Sequence, residues 1–262
     1  MIYITGDTHD DFRRFCKAEL RSLPFYIGKK DYVIIAGDFG LLWRKNKTFE
    51  YNLEWLSNLP FTILWVQGNH ENYNMIAEYP LEEWNGGKTR HIVKDKIILL
   101  ERGQVFTIEG KKIFTFGGAS SHDIQGGVLD KADSNYEMLK RKAIKQDLPY
   151  RVLNESWWSQ ELPTEQEMQE GRDNLEKVDW KVDYVISHCA STSIQALVGC
   201  KRGQVYKKDI LTDYFDELEQ KLKYKQWYFG HYHVNGFVDT KHTVLFKAII
   251  PLEIGRQYGR DV

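Results

Sequence analysis

The chain has 262 residues, of which 36 are Lys or Arg, 37 Asp or Glu, 8 His and 3 Cys, for a formal net charge of −1. That balance excludes a binder resting on a global positive field, while 42% hydrophobic and 14% aromatic residues exclude a disordered or fibrous chain. No run reaches the roughly 20 apolar residues of a membrane span, no secretory signal is visible, and Cys16, Cys189 and Cys200 suit neither a disulfide framework nor a zinc ribbon, so a reducing, cytoplasmic setting is expected.

Residues 2–5 form the first predicted strand and run into Gly6-Asp7. Residues 11–23 read as a helix, with Phe12, Phe15, Cys16, Leu20 and Leu23 at three- and four-residue spacings and Pro24 as its stop. A second strand at 32–36 runs into Gly37-Asp38. A helix at 48–59 carries Phe49, Leu53 and Leu56 on one side, and a third strand at 62–66 runs into Gln67-Gly68-Asn69-His70. Such short, β-branched, uncharged runs suit strands buried on both faces, and their alternation with helices predicts a layered α/β fold. Residues 104–108 and 112–116 predict a hairpin ending in Gly117-Gly118-Ala119.

From about 121 to 180 the chain turns polar and mostly helical. Residues 131–147 are charge-rich, and Thr164-Glu165-Gln166-Glu167 has capping-box form and opens a helix to about 178. This stretch reads as an insertion or lid on a single domain of residues 1–262. Strand character resumes at 183–187 and ends at His188. A helix at 208–222 and a strand at 226–229 follow, the latter ending at Gly230-His231, and 236–238 and 243–250 read as two closing strands.

Asp7 and His9, Asp38, Asn69 and His70, His188, and His231 and His233 all lie at or just past the C-terminal ends of these strands. That is where side chains distant in sequence converge on a ligand in layered α/β folds. Asp-x-His alone arises by chance in about one of two chains of this length, but here every match occupies the same place on a strand. Asp, His and Asn offer oxygen and nitrogen donors that suit divalent Zn, Mn or Fe better than a thiolate-preferring ion. Two adjacent metals need a bridging ligand, and the carboxylate of Asp38, central in chain order, is the natural bridge. The neutral carbonyl of Asn69 limits the negative charge facing an anionic substrate.

The order Gly-Asp-x-His, Gly-Asp, Gly-Asn-His-Glu, His, Gly-His-x-His, spread over residues 6–233, resembles the calcineurin-like metallophosphoesterase superfamily. The resemblance implies a four-layer α/β/β/α sandwich with two facing sheets and two divalent ions, identified no further than Mn, Fe or Zn. It implies that Asp7, His9, Asp38 and His233 hold the first ion and that Asp38, Asn69, His188 and His231 hold the second. His70 would be the catalytic, non-ligand histidine near the leaving group. The second motif continues Phe39-Gly40-Leu41, where protein Ser/Thr phosphatases have Gly-Asp-x-x-Asp-Arg, which counts against a phosphoprotein phosphatase.

The expected activity is hydrolysis of a phosphomonoester or phosphodiester by in-line attack of a metal-bound hydroxide, on a phosphorylated substrate of unknown class. A nucleotide-directed pyrophosphohydrolase is the second enzymatic reading, and a non-catalytic scaffold of the same fold is the rival from another class. Outside the motifs, Arg44 and His122 are candidates for substrate binding. Trp157-Trp158 reads as an anchor of the insertion or a stacking platform, and His91 and His242 read as surface or packing residues.

Overall fold

Runs that are apolar in sequence become strands covered on both faces. The structure, a computed structural model, describes residues 1–253, so residues 254–262 of the expected domain lie outside it. In chain order it contains β1 (Ile2–Thr5), α1 (Lys17–Ser22), β2 (Tyr32–Ile35), α2 (Lys47–Ser57), β3 (Thr62–Trp65), α3 (Tyr73–Ala77), β4 (Glu82–Trp84), β5 (Gly87–Val93), β6 (Ile97–Leu100), β7 (Gln104–Ile108) and β8 (Lys111–Phe116). There follow β9 (Val128–Leu129), α4 (Tyr136–Lys145), β10 (Arg151–Val152), α5 (Glu165–Glu176), β11 (Tyr184–Ser187), α6 (Thr192–Arg202), α7 (Ile210–Lys221), β12 (Gln226–Phe229), β13 (Gly236–Phe237), β14 (His242–Val244) and β15 (Ile250–Pro251). Among the described residues, no helix is long and apolar enough to cross a membrane.

Two sheets carry the fold, ordered β15-β1-β2-β3-β6-β5-β4 and β13-β14-β12-β11-β8-β7. Their central strands, β1, β2, β3 and β6 in one and β8, β11, β12 and β14 in the other, run parallel. Register explains the four layers. Ile4, Ile34, Leu64 and Ile98 stand abreast across the first sheet and face the second sheet, joining Ile113, Tyr184, Ile186 and Tyr228 in the central core. One residue earlier, Tyr3, Val33, Ile63 and Ile97 stand abreast on the opposite face, in a core closed by Phe12, Phe15 and Leu56. Alternation therefore sends successive residues to different cores, and each buried aliphatic side chain contributes about 1.5–3 kcal/mol. On the outer face of the second sheet, Phe114, Val185 and Trp227 pack with α5, α6 and α7. The arrangement is the expected four-layer α/β/β/α sandwich.

Several local expectations change. The helix over 11–23 breaks at Cys16, which is extended (φ −69°, ψ 154°), leaving a 3-10 turn at Phe12–Phe15 ahead of α1. The turn eclipses Phe12 and Phe15 so that both enter the core, and Arg14 turns back to hold carbonyls of the β1 exit. The strand over 243–250 splits: β14 belongs to the second sheet and β15 to the first. Asn235 Oδ1 accepts from the backbone N–H of both Phe246 and Ala248 and turns the chain between them, and Pro251 sits in an edge strand, where its missing N–H costs nothing. The strands β4, β5 and β6 and the helices α3 and α6 add to the elements named from sequence. The 121–180 segment divides at Pro163. Its second half, α5, buries Met168 and Leu175 in the outer core of the second sheet, while its first half holds α4 and the small β9–β10 pair, anchored where Trp158 meets Trp43 edge-on.

Candidate metal centre

Each expected ligand follows a strand, and hydrogen bonds between the exit loops set their mutual positions. The N–H groups of Thr8 and His9, after β1, both donate to the Asp38 carbonyl after β2 (3.0 and 2.8 Å). After β3, the His70 N–H donates to Asp38 Oδ1 (2.7 Å). After β12, the His231 N–H donates to Asp7 Oδ1 (2.9 Å), joining the second sheet to the first. His9, Asp38, His231 and His233 all have φ between +46° and +66°, a left-handed backbone region that Asp and His enter more readily than most residues with a Cβ. Two glycines are required by close approach: a Cβ at Gly37 would lie 2.1 Å from His188 Nδ1, and one at Gly68 would lie 2.0 Å from Asp38 Oδ1.

Two donor groups result. Asp7 Oδ2 lies 3.2 Å from His233 Nε2 and 3.6 Å from His9 Nε2, and those two nitrogens are 2.9 Å apart. His188 Nε2 lies 3.3 Å from Asp38 Oδ2 and 3.2 Å from Asn69 Oδ1. The same Asp38 Oδ2 is 3.7 Å from His9 Nε2, so one carboxylate oxygen faces both groups. Donors held about 2.0–2.2 Å from one ion lie roughly 3.0–3.6 Å apart, which these spacings match. His188 Nδ1 meets the Ala36 carbonyl at 2.7 Å; a carbonyl only accepts, so Nδ1 carries a proton, and in the neutral ring that a metal would require Nε2 keeps the lone pair. His231 Nε2 meets His122 Nε2 at 2.8 Å, and no hydrogen bond among the described residues engages His231 Nδ1.

The electrostatics suit a cation. Burial alone would push the carboxyls of Asp7 and Asp38 up, but the imidazoles around them, His233 and His9 for Asp7 and His188 for Asp38, hold both well below the ordinary carboxylate range. Burial favours the neutral ring of His188, yet the charges of Asp38 and Asp7 outweigh it and push His188 up to about 9. Two carboxylates thus stay ionised at a buried point and draw positive charge to it. The side chains of His233 and His9 remain 49% and 32% exposed, so this end of the cluster is open to solvent.

Residues 1–235 match the family model described as calcineurin-like phosphoesterase. The chain belongs to that family. With donor groups of this kind, this calcineurin-like phosphoesterase is metal-dependent in kind. The solved structure of a phosphopantetheinyl hydrolase from Mycobacterium tuberculosis is similar over 100% of this chain and 95% of its own, at 15% identity and a TM-score of 0.43. No curated protein matches the chain.

In this phosphoesterase all seven expected ligands and His70 converge, and His122 joins them through His231. Arg44 is not drawn in: it lines a separate cavity of about 180 Å³ with Asp10, Trp43 and Asn46. His242 is buried against Tyr224, Asp239 and Glu219, away from the cluster, and His91 accepts from the Asp95 N–H.

Four contributors escape sequence reading. Arg14 donates to the carbonyls of Gly6 and Asp7 (3.1 and 2.5 Å), steadying the β1 exit. Asn69 Nδ2 donates to Ser121 Oγ (3.2 Å), and Ser121 donates from Oγ and N to the buried carboxylate of Glu161 (2.6 and 3.0 Å). That chain aims the Asn69 carbonyl at the ligand group. Arg151 pairs with Asp123 and lies 3.3 Å, from Nη2, from His70 Nδ1. Only the string Ser121-His122-Asp123 carried a signal, its Gly-rich strand exit. Arg14, Glu161 and Arg151 lie in segments without local motif.

Proposed function

We propose that this protein hydrolyses a phosphomonoester or phosphodiester at a centre of two divalent ions. The observation that carries the reading is Asp38 Oδ2, one buried carboxylate oxygen facing both donor groups. Asp7, His9, Asp38 and His233 would hold one ion, and Asp38, Asn69, His188 and His231 the other, with Mn, Fe or Zn suited to these donors. Ions bound there would supply Lewis acidity to the phosphoryl oxygens and water activation near neutral pH.

The chain's own residues supply the rest. Asn69 coordinates without adding negative charge opposite an anionic substrate. Arg151 can only donate, so the 3.3 Å contact makes His70 Nδ1 an acceptor and leaves the proton of the neutral ring on Nε2. Burial, reinforced by Arg151, pulls His70 below its ordinary value against the charge of Asp38 and favours that neutral form. His70 then offers an N–H to the departing oxygen, which matters most for an alkoxide. The reading includes a cytoplasmic setting, supported by the small, dispersed set of cysteines.

Elemental analysis together with hydrolysis of p-nitrophenyl phosphate and bis-p-nitrophenyl phosphate after metal reconstitution tests the proposal. Two ions per chain and metal-dependent turnover of at least one ester are expected. His70→Ala should keep its metal and lose about 10²–10⁴ in rate on alkyl esters, with a smaller loss on nitrophenyl esters. No metal-restored activity on either ester would overturn the enzymatic reading in favour of a scaffold.

A further inference from the structure

Three consecutive residues after β8 each hold a different part of the site: Ser121 contacts Asn69, His122 contacts His231, and Asp123 pairs with Arg151. The third contact has no role in binding metal. Arg151 comes from β10, in the small pair that its register with Val128 forms, and its side chain is 21% exposed. Asp123 takes Nε–H at 3.0 Å and a second hydrogen bond from Nη2, while the other Nη2 proton faces His70 Nδ1. Arginine has five N–H donors in a fixed plane, so two remain, both on Nη1. Among the described residues nothing accepts from Nη1.

An ion pair this open adds little to stability, so folding alone gives little reason for a guanidinium here. What Asp123 does is fix its plane beside His70 with one edge free. A planar pair of donors matches two oxygens of a phosphate, and a fork already held in place loses little freedom on binding. Among the described residues Arg151 hydrogen-bonds His70 but none of the seven expected ligands; with His70 beside the leaving oxygen, as the hydrolytic reading has it, the free edge lies on the leaving side.

We propose that Arg151 binds a second anionic group, and that the substrate is a diphosphate, a compound whose leaving half itself carries a phosphate, for which ADP serves as the probe. This rests on the metal-dependent hydrolytic reading above and places the scissile bond at the phosphoanhydride of a diphosphate instead of at an ester. In the step itself, the hydroxyl of water adds to the terminal phosphorus and the remaining proton passes to solvent. The bond from that phosphorus to the bridging oxygen breaks, and its electron pair leaves on the bridging oxygen as part of the monophosphate. Arg151 holds that departing phosphate while His70 faces the bridging oxygen.

The test uses the full chain, metal-loaded and checked by elemental analysis, with two readouts. Calorimetry measures binding of the non-hydrolysable α,β-methylene analogue of ADP, and kinetics compare ADP with p-nitrophenyl phosphate. Arg151→Ala should weaken analogue binding at least tenfold and lower the ADP to p-nitrophenyl phosphate ratio of kcat/KM by a similar factor, mainly through KM. Arg151→Lys, which keeps the charge and loses the fork, should recover part of both at unchanged metal content. Equal loss on both substrates, an unchanged ratio, or a wild-type protein that does not bind the analogue would overturn the proposal. A metal-loaded wild type inactive on ADP and on both nitrophenyl esters would instead overturn the hydrolytic reading itself, a distinct outcome.

Discussion

Asn69 shows how much a single side chain owes to residues far along the chain. Its amide has two ends of similar shape, and only a donor–acceptor pattern decides which one faces the ion. Ser121 accepts from Nδ2, and Glu161 holds Ser121 through two hydrogen bonds, across sequence separations of 52 and 40 residues. Partners of metal ligands in other sites change affinity by about 10–100-fold when removed. Glu161→Gln, which exchanges one acceptor for a donor at the same volume, should therefore weaken metal binding about tenfold at the ion proposed for Asn69 and leave the other proposed ion in place. Metal titration of the purified variant reads this directly, and equal weakening of both ions would refute the relay. The expected ligands could be placed from sequence because each sits one to four residues past a strand end. Ser121, Glu161 and Arg151 were not, because their roles exist only as contacts across the insertion.

At the scale of elements, the strands were the clearest, since burial on both faces removes charge from five-residue runs and marks them. The mixed-pattern β5, with alternating and partly exposed residues including Lys88 and Arg90, gave no such mark. Helix α6 carried signals that spacing alone did not catch: Ser191 caps Ile194, and Gly203 ends the helix at φ +65°. The division of 243–250 between two sheets was illegible, because it depends on Asn235 reaching across a turn. The strand β14 also carries a pH dependence. His242 Nδ1 donates to Asp239 (2.9 Å), while its Nε2 meets Tyr224 Oη at 3.0 Å and lies 3.5 Å from Glu219. Burial would lower its pKa, but the neighbouring carboxylates of Glu219 and Asp239 raise it above 6.5. A histidine raised on folding adds stability that is complete below pH 6.5 and is lost as the pH rises through the folded value. Urea melts at pH 6 and pH 9 should accordingly show a larger stability difference for wild type than for His242→Gln. Identical differences would show that the cluster does not titrate on folding.

For the whole molecule, the decisive feature is that the donors come from both sheets. Asp7, His9, Asp38 and Asn69 follow strands of the first, and His188, His231 and His233 follow strands of the second. The central core of Ile4, Leu64, Phe106, Ile186 and Tyr228 sets the gap between the two halves. Metal binding should then be linked to global folding. Divalent metal at 100 times its Kd should stabilise the fold by about 2.7 kcal/mol and raise Tm by about 5–10 °C, and a chelator should reverse this. Asp38→Asn should lose most of the shift; a full shift in that variant would show that the ions bind elsewhere.

The net charge of −1 excluded a global positive field but said nothing of the local one. Two buried carboxylates draw cations to one point, and a lone arginine stands beyond it. The alternation of apolar runs with helices, and the donors at each run's end, were determined by the chain itself, because burial and strand periodicity act on neighbouring residues. Which oxygen lies between the two donor groups, which ring nitrogen of His188 and of His70 carries the proton, and what meets His70 were decided only by tertiary structure. Those are distances of a few ångströms between residues tens to hundreds of positions apart, and they exist only once the two sheets have packed.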